Sequence, residues 1–282
     1  MSDAIRVWVN GRLMGEGEPA VAALDHGVTV GDGAFETAKI SHGRVFAASR
    51  HLRRLDHTLA GLGLPPADHA VIAQGVEAVL AEGDPIEFGR LRYTITGGAG
   101  PLGSDRADSP LTYIVTAGAQ PANPPSVKVC TVEWTRNERA ATAGLKTTSY
   151  AENVVSLADA KRRGGVEAIM ANTRGELCEG TGTNIFVVRD GVIRTPPLDS
   201  GCLAGITRAL TIEWCREAGM EVREETMPMS DLFSADEVFI TSSTKDVLAV
   251  HAVDDTTFAA PGPVTSAAAE VFARFSADRL DP

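Results

Sequence analysis

Only five of the 26 basic residues are lysines (Lys39, Lys128, Lys146, Lys161 and Lys245), so chemistry that needs a deprotonated amine has few possible owners. Lys128 is expected to point out of a strand, Lys161 lies in a basic helix end and Lys39 flanks a turn; these three read as solvated. Lys146 differs. It sits in AGLKTTSYAEN among small and hydroxyl residues, a pocket in which a lysine gives up its proton readily enough for Schiff-base chemistry. Further on, Glu179 lies in ELCEGTGTNIFVV, where a carboxylate either caps the local turn or faces a cationic ring nitrogen. LAGITRAL opens a helix directly after a glycine, so the amides of Ile206 and Thr207, the Thr207 hydroxyl and the helix dipole form an anion site. TSSTKDV, with Ser243 and Thr244, offers a second hydroxyl-rich rest for an anion. Each feature alone also has an ordinary structural reading. Together they match what pyridoxal phosphate requires: a Schiff-base amine, a partner for the pyridinium nitrogen and a phosphate cradle.

The elements that must position these residues fall into two parts. The first third reads as hairpins and helices. IRVWVNGRLM turns at Asn10-Gly11 and FETAKISHGRVFAA at His42-Gly43. Helical patterns follow at about 49–62 and 67–82, then strands at 90–96 and 111–117. The Pro-rich stretch GAQPANPP (118–125) is the best linker in the chain. Beyond it, strands are expected at 126–134 and 167–172, a helix at 152–164 ending on basic residues and Gly, and a hairpin at 184–196 turning at Asp190-Gly191. A helix at 206–219, strands at 221–225 and 237–241 and a last helix at 264–277 complete the pattern. The irregular alternation predicts a mixed α/β (α+β) fold rather than a regular barrel. The expected domains are 1–118 and 126–282, joined by a 119–125 linker.

Composition narrows the class. With 44% apolar residues and a net charge of -11, the chain has the make-up of a globular protein and opposes binding to nucleic acid or an anionic membrane. No apolar run reaches the length of a spanning helix, and MSDAIRVWVNG lacks a signal-peptide core, so a cytoplasmic protein is expected. Cys130, Cys178, Cys202 and Cys215 lack metal-ligand spacing, and the six histidines form no HxxxH or HxH pair, so no metal is expected. GGAGPLG (97–103) is a formal GxGxxG match, yet SDRADSP follows where a helix should open, and it reads as a mobile loop between strands. In GDGAFET (31–37), Asp32 reads as a turn residue bonding local amides.

Taken in order, GDGAFET, HLRRL (51–55), GLKTTSYAEN (144–153), EAIMANTRGELCEGTGTNIF (167–186), LAGITR (203–208) and FITSSTKDV (239–247) resemble the class IV pyridoxal-phosphate aminotransferases, which include branched-chain and D-amino-acid transaminases and aminodeoxychorismate lyases. The resemblance runs from about residue 8 to 250. It implies a two-domain fold-type IV enzyme, a homodimer, with a smaller N-terminal domain, a larger C-terminal one and pyridoxal 5'-phosphate between them, acting on a small-molecule amino substrate. By the same resemblance Lys146 is the Schiff-base lysine and the base that moves the Cα proton, and Glu179 partners the ring nitrogen. Arg54, Ile206, Thr207 and Ser243 or Thr244 hold the phosphate, and Tyr150 lies near the family's ring-hydroxyl tyrosine. D-amino-acid transaminases and several lyases carry an arginine in a TRG or SRG turn, which here is Thr96-Gly97-Gly98, a departure that weighs against a D-amino-acid transaminase. Arg92, Arg136, Arg139, Arg208 and Lys245 are the substitute candidates for a substrate carboxylate. The LAGITR and TSSTKDV versions look most like aminodeoxychorismate lyase (4-aminobenzoate and pyruvate, folate pathway), with a branched-chain or other transaminase as the alternative.

Overall fold

The computed structural model describes residues 5–282. Among these, two compact units form. The first contains the described residues through Ala122 together with Leu145–Tyr150 and Leu280–Pro282; the second contains Asn123–Gly144 and Ala151–Arg279. Composition suggested one cut at the Pro-rich stretch. Packing instead returns two later segments, one of them bearing Lys146, to the first unit.

The first unit is built on an antiparallel six-stranded sheet in the order β2-β1-β6-β5-β3-β4. Its elements are β1 (Arg6–Val9), β2 (Arg12–Met14), a short α1 (His26–Thr29), β3 (Gly33–Ser41), β4 (Arg44–Val45), α2 (Ala48–Leu62), α3 (His69–Ala81), β5 (Phe88–Thr96) and β6 (Thr112–Ala119). Asn10-Gly11 and His42-Gly43 take the left-handed φ that tight hairpins demand. Leu55 and Leu59 of α2 and Ile72 and Val79 of α3 are buried with Trp8, Ile40, Leu91 and Ile95 of the sheet. Each such aliphatic side chain contributes about 1.5–3 kcal/mol by leaving water.

The second unit holds β7 (Ser126–Thr131), α4 (Ala151–Arg162), β8 (Ala168–Ala171), β9 (Leu177–Gly180), β10 (Asn184–Arg189), β11 (Val192–Thr195), α5 (Ile206–Glu217), β12 (Val222–Glu224), β13 (Glu237–Ser242), β14 (Asp246–Val253), β15 (Thr256–Thr257) and α6 (Pro263–Asp278). Its sheet runs β12-β11-β10-β13-β14-β7-β8-β9, with β15 beside β14. Both sheet faces are covered. Ile185, Val187, Val238 and Ile240 enter one core, while Phe186, Val188 and Phe239 join Ile212, Cys215 and Ala268 in another. The paired Phe186 and Phe239 rings stack 4.7 Å apart.

Three local expectations are corrected. Lys39 is buried rather than solvated, with its ammonium 4.8 Å from the centre of the Phe46 ring. The Asp32 carboxylate does not cap its own turn; it accepts from Nε and Nη2 of Arg106, both at 2.7 Å. The 97–103 loop is tied down rather than loose: His26 N donates to Gly98 O at 2.8 Å and Gly100 N to Leu24 O at 3.0 Å.

Candidate active site

In the first unit, the segment bearing Lys146 lies against the start of β3. Phe35 N donates to Lys146 O at 3.0 Å, Thr148 N to Gly33 O at 2.8 Å, and Ala34 bridges Thr147. The Lys146 amide donates to Thr58 Oγ1 on α2 at 3.2 Å. So held, Lys146 sends its Nζ over the Phe35 ring, 4.3 Å from its centre, and within 3.4 Å of the Tyr150 hydroxyl. Tyr150 in turn meets the same Phe35 ring edge-on at 5.0 Å. Arg92, from the neighbouring strand, lays its guanidinium 3.7 Å from the Phe35 centre. Its Nε donates to Thr94 Oγ1 at 3.1 Å, and neither terminal nitrogen meets a protein acceptor among the described residues. Burial holds its pKa below the ordinary arginine value. A half-buried cation without an acidic partner is an anion site in waiting.

Arg54 stands next to this group on α2, its guanidinium gripped by Glu36 Oε1 at 2.7 Å and Oε2 at 2.6 Å. Glu36 is fully buried on β3 and also accepts from His51 Nδ1 at 2.7 Å. Burial pushes the Glu36 carboxyl up, but Arg54 and His51 outweigh it and hold its pKa down to about 2. Burial, and behind it the charges of Arg54 and Lys146, lower the His51 pKa against the pull of Glu36. His51 therefore stays neutral and the pair Glu36–Arg54 stays ionised.

In the second unit, β9 carries Glu179. Its Oε1 accepts from Arg136 Nε at 3.0 Å and its Oε2 from Leu203 N at 2.9 Å. Arg136 is thereby removed from the candidates for a free substrate cation, and so is buried Arg208, which donates to Pro196 O at 2.8 Å and Glu224 at 2.9 Å. Arg139 is exposed. Leu203 leads into α5, whose first turn presents the amides of Ile206, Thr207 and Arg208 beyond the reach of intrahelical acceptors. Gly205, at the cap, has no alternative: a Cβ there would lie 1.9 Å from Asn184 Oδ1. Asn184 itself holds Leu203 O at 2.9 Å and pairs across the sheet with Thr241. Ser243 and Thr244 follow directly on that strand.

The family description Amino-transferase class IV matches residues 33–253. The chain belongs to the class IV aminotransferases. Its similarity to individual members spans their length. A D-alanine aminotransferase of Bacillus licheniformis is 30% identical over 93% of both chains, and an aminodeoxychorismate lyase of Bacillus subtilis is 28% identical over 93% of this chain and 91% of its own. The crystal structure of a branched-chain aminotransferase from Thermoproteus uzoniensis with norvaline has a TM-score of 0.85 and 30% identity, covering 95% of this chain and 93% of that one. This class IV aminotransferase therefore has the fold-type IV architecture and is an enzyme dependent on pyridoxal 5'-phosphate. Its residues fit that cofactor. The α5 amides behind a cap with no room for a side chain suit a phosphate, and a carboxylate locked by two donors suits a protonated ring nitrogen.

Sequence reasoning missed Glu36, His51, Phe35 and Asn184. Glu36 was detectable as a carboxylate inside an otherwise apolar strand, GAFETAKI, which buried strands tolerate only when the charge is paired. Phe35 and Asn184 act through contacts that sequence does not display.

Proposed function

We propose that this class IV enzyme moves the Cα proton of an amino substrate that carries a carboxylate, with Lys146 as the base. The observation that carries the reading is the shared Phe35 ring, which brings the Lys146 amine and the Arg92 guanidinium to one place. Pyridoxal 5'-phosphate supplies, when bound, a covalent handle for the amine and a ring that accepts electrons. Arg54, its fork oriented by Glu36, is one candidate holder of the phosphate. The amides of Ile206 and Thr207, the Thr207 hydroxyl and Ser243 or Thr244 are the others. Glu179 keeps a proton on the ring nitrogen, its carboxylate held in place by Arg136 and the Leu203 amide. Tyr150 stays within reach of the lysine amine and orients it, while Phe35 excludes water from beneath it. Arg92 receives the substrate carboxylate end-on through its two terminal nitrogens, since Nε is already committed to Thr94.

For the reaction that follows proton removal, our reading is the aminodeoxychorismate lyase reaction, supported by the LAGITR and TSSTKDV motifs and by the Bacillus subtilis relative. Amino-acid transamination is the second reading, supported by the slightly higher identity to transaminases. Aminodeoxychorismate in one cuvette, and L- and D-amino acids with 2-oxoglutarate or pyruvate in another, separate them. Release of 4-aminobenzoate without 2-oxo-acid exchange supports the lyase; fast exchange without 4-aminobenzoate assigns the transaminase. Borohydride reduction followed by peptide mapping tests the common core. An adduct on any lysine but Lys146 overturns it. We further infer a cytoplasmic homodimer, which sedimentation equilibrium at micromolar concentration tests.

A further inference from the structure

Two segments of the first unit meet at one residue. The carbonyls on either side of Asp32 belong to the lysine segment's support: Gly31 O accepts from Thr148 Oγ1 at 2.8 Å and Ser149 Oγ at 3.0 Å, and Gly33 O accepts from Thr148 N. Asp32 itself belongs to the 97–111 loop. Its carbonyl accepts from Gly97 N at 3.0 Å and its carboxylate takes both Nε and Nη2 of Arg106. The third guanidinium nitrogen of Arg106 donates to Gly63 O at 3.1 Å, closing the loop onto the end of α2. Gly97 is required by this arrangement, because a Cβ there would lie 2.8 Å from Asp32 Oδ2. A larger residue at position 97 would have to displace the Asp32 carboxylate.

We propose that Asp32 is a positioning residue: through Arg106 it latches the 97–111 loop, and through its flanking carbonyls it holds the segment that presents Lys146, so that loop closure and lysine placement are one event. The importance of Lys146 rests on the function proposed above; the latch does not, and its test is independent of turnover. Amide hydrogen exchange on the purified protein reads both segments at once. Arg106→Gln and Asp32→Asn should each raise exchange about three- to tenfold at the Gly97 and Gly100 amides and, together with them, at Phe35 and Thr148, the amides bonded along the lysine segment. The double variant should do no more than either single one, since both remove the same pair. Raising sodium chloride from about 0.05 to 0.5 M should speed exchange at all four amides in the wild type and leave Arg106→Gln unchanged, because only a charged latch is screened. Arg106→Lys, which keeps the charge but not the fork, should restore part of the protection.

Arg106 is exposed enough for its substitution to spare the fold, so the result is readable even if Asp32→Asn unfolds. Unchanged loop exchange in Arg106→Gln overturns the latch. Faster loop exchange with Phe35 and Thr148 unmoved overturns the coupling. A borohydride adduct mapped elsewhere than Lys146 overturns the functional reading alone and leaves these amides to report on the latch.

Discussion

Replacing Glu36 by glutamine removes the negative end of a buried pair while keeping its shape. In the folded protein the Glu36 carboxyl titrates near 2 against an ordinary 4.5, which corresponds to about 3 kcal/mol of stability at neutral pH. The sign follows from the depressed pKa: the contribution is whole above 4.5 and drains away as pH falls toward 2. A minor part of it is gone at pH 4 and more than half at pH 3. Glutamine would also turn an amide N–H toward the Arg54 fork and leave that guanidinium, which is only 10% exposed, without a counter-charge. Urea unfolding followed by circular dichroism is the assay. At pH 7 the Glu36→Gln midpoint should fall by about 1 M for an m-value near 3 kcal/mol/M. The gap between variant and wild type should hold from pH 7 to about pH 5 and narrow from there to pH 3. Equal midpoints at pH 7, or a gap that ignores pH, would refute the claim that ionised Glu36 anchors Arg54.

Three further outcomes follow from the site. Lys146→Ala should retain cofactor through its phosphate contacts yet lose turnover by about a thousandfold or more, as measured in single-turnover assays with any active donor. Glu179→Gln should keep cofactor and fold but lose most activity; normal turnover there would remove the proton-holding role, and lost stability with an intact rate per folded molecule would make Glu179 a loop cap. Arg92→Met, which keeps the contact with Phe35, should raise KM for carboxylate-bearing donors roughly tenfold to a hundredfold, the range for a charge-assisted hydrogen bond. A simple amine without a carboxylate should react with the variant as it does with the wild type, and an equal loss on both donors would contradict the assignment.

The hairpins at Asn10-Gly11, His42-Gly43 and Asp190-Gly191 were legible because two-residue turns need the backbone freedom those residues supply. The α2 helix was legible from its pattern, and α5 from periodicity and the glycine that precedes it. β14 was not. DVLAVHAV is largely buried, carries a bulge between Val250 and Ala252, and so lacks the alternation that marks a half-exposed strand. In the site, Lys146 and Glu179 were legible because their residue types are scarce or chemically pointed. The partners that tune them, Glu36 for Arg54 and Arg136 for Glu179, stand 18 and 43 residues away in sequence, and only the folded chain shows the pairing.

The tail of the first unit sets the order in which the protein can be finished. Ala47 N donates to Leu280 O at 2.8 Å, Ser49 N to Asp281 Oδ1 at 2.9 Å, and Arg50 Nε to Pro282 O at 2.9 Å, so the start of α2 is capped by residues synthesised more than 200 positions later. At about 5–20 residues per second, the ribosome needs roughly ten to thirty seconds to travel from Ala122 to Pro282. Throughout that interval the earliest-made sheet exists without its lysine segment, its α2 cap, or both, while the later-made unit is contiguous but for one six-residue excursion. A perturbation placed at 280–282 therefore acts on the portion of the protein that was translated first.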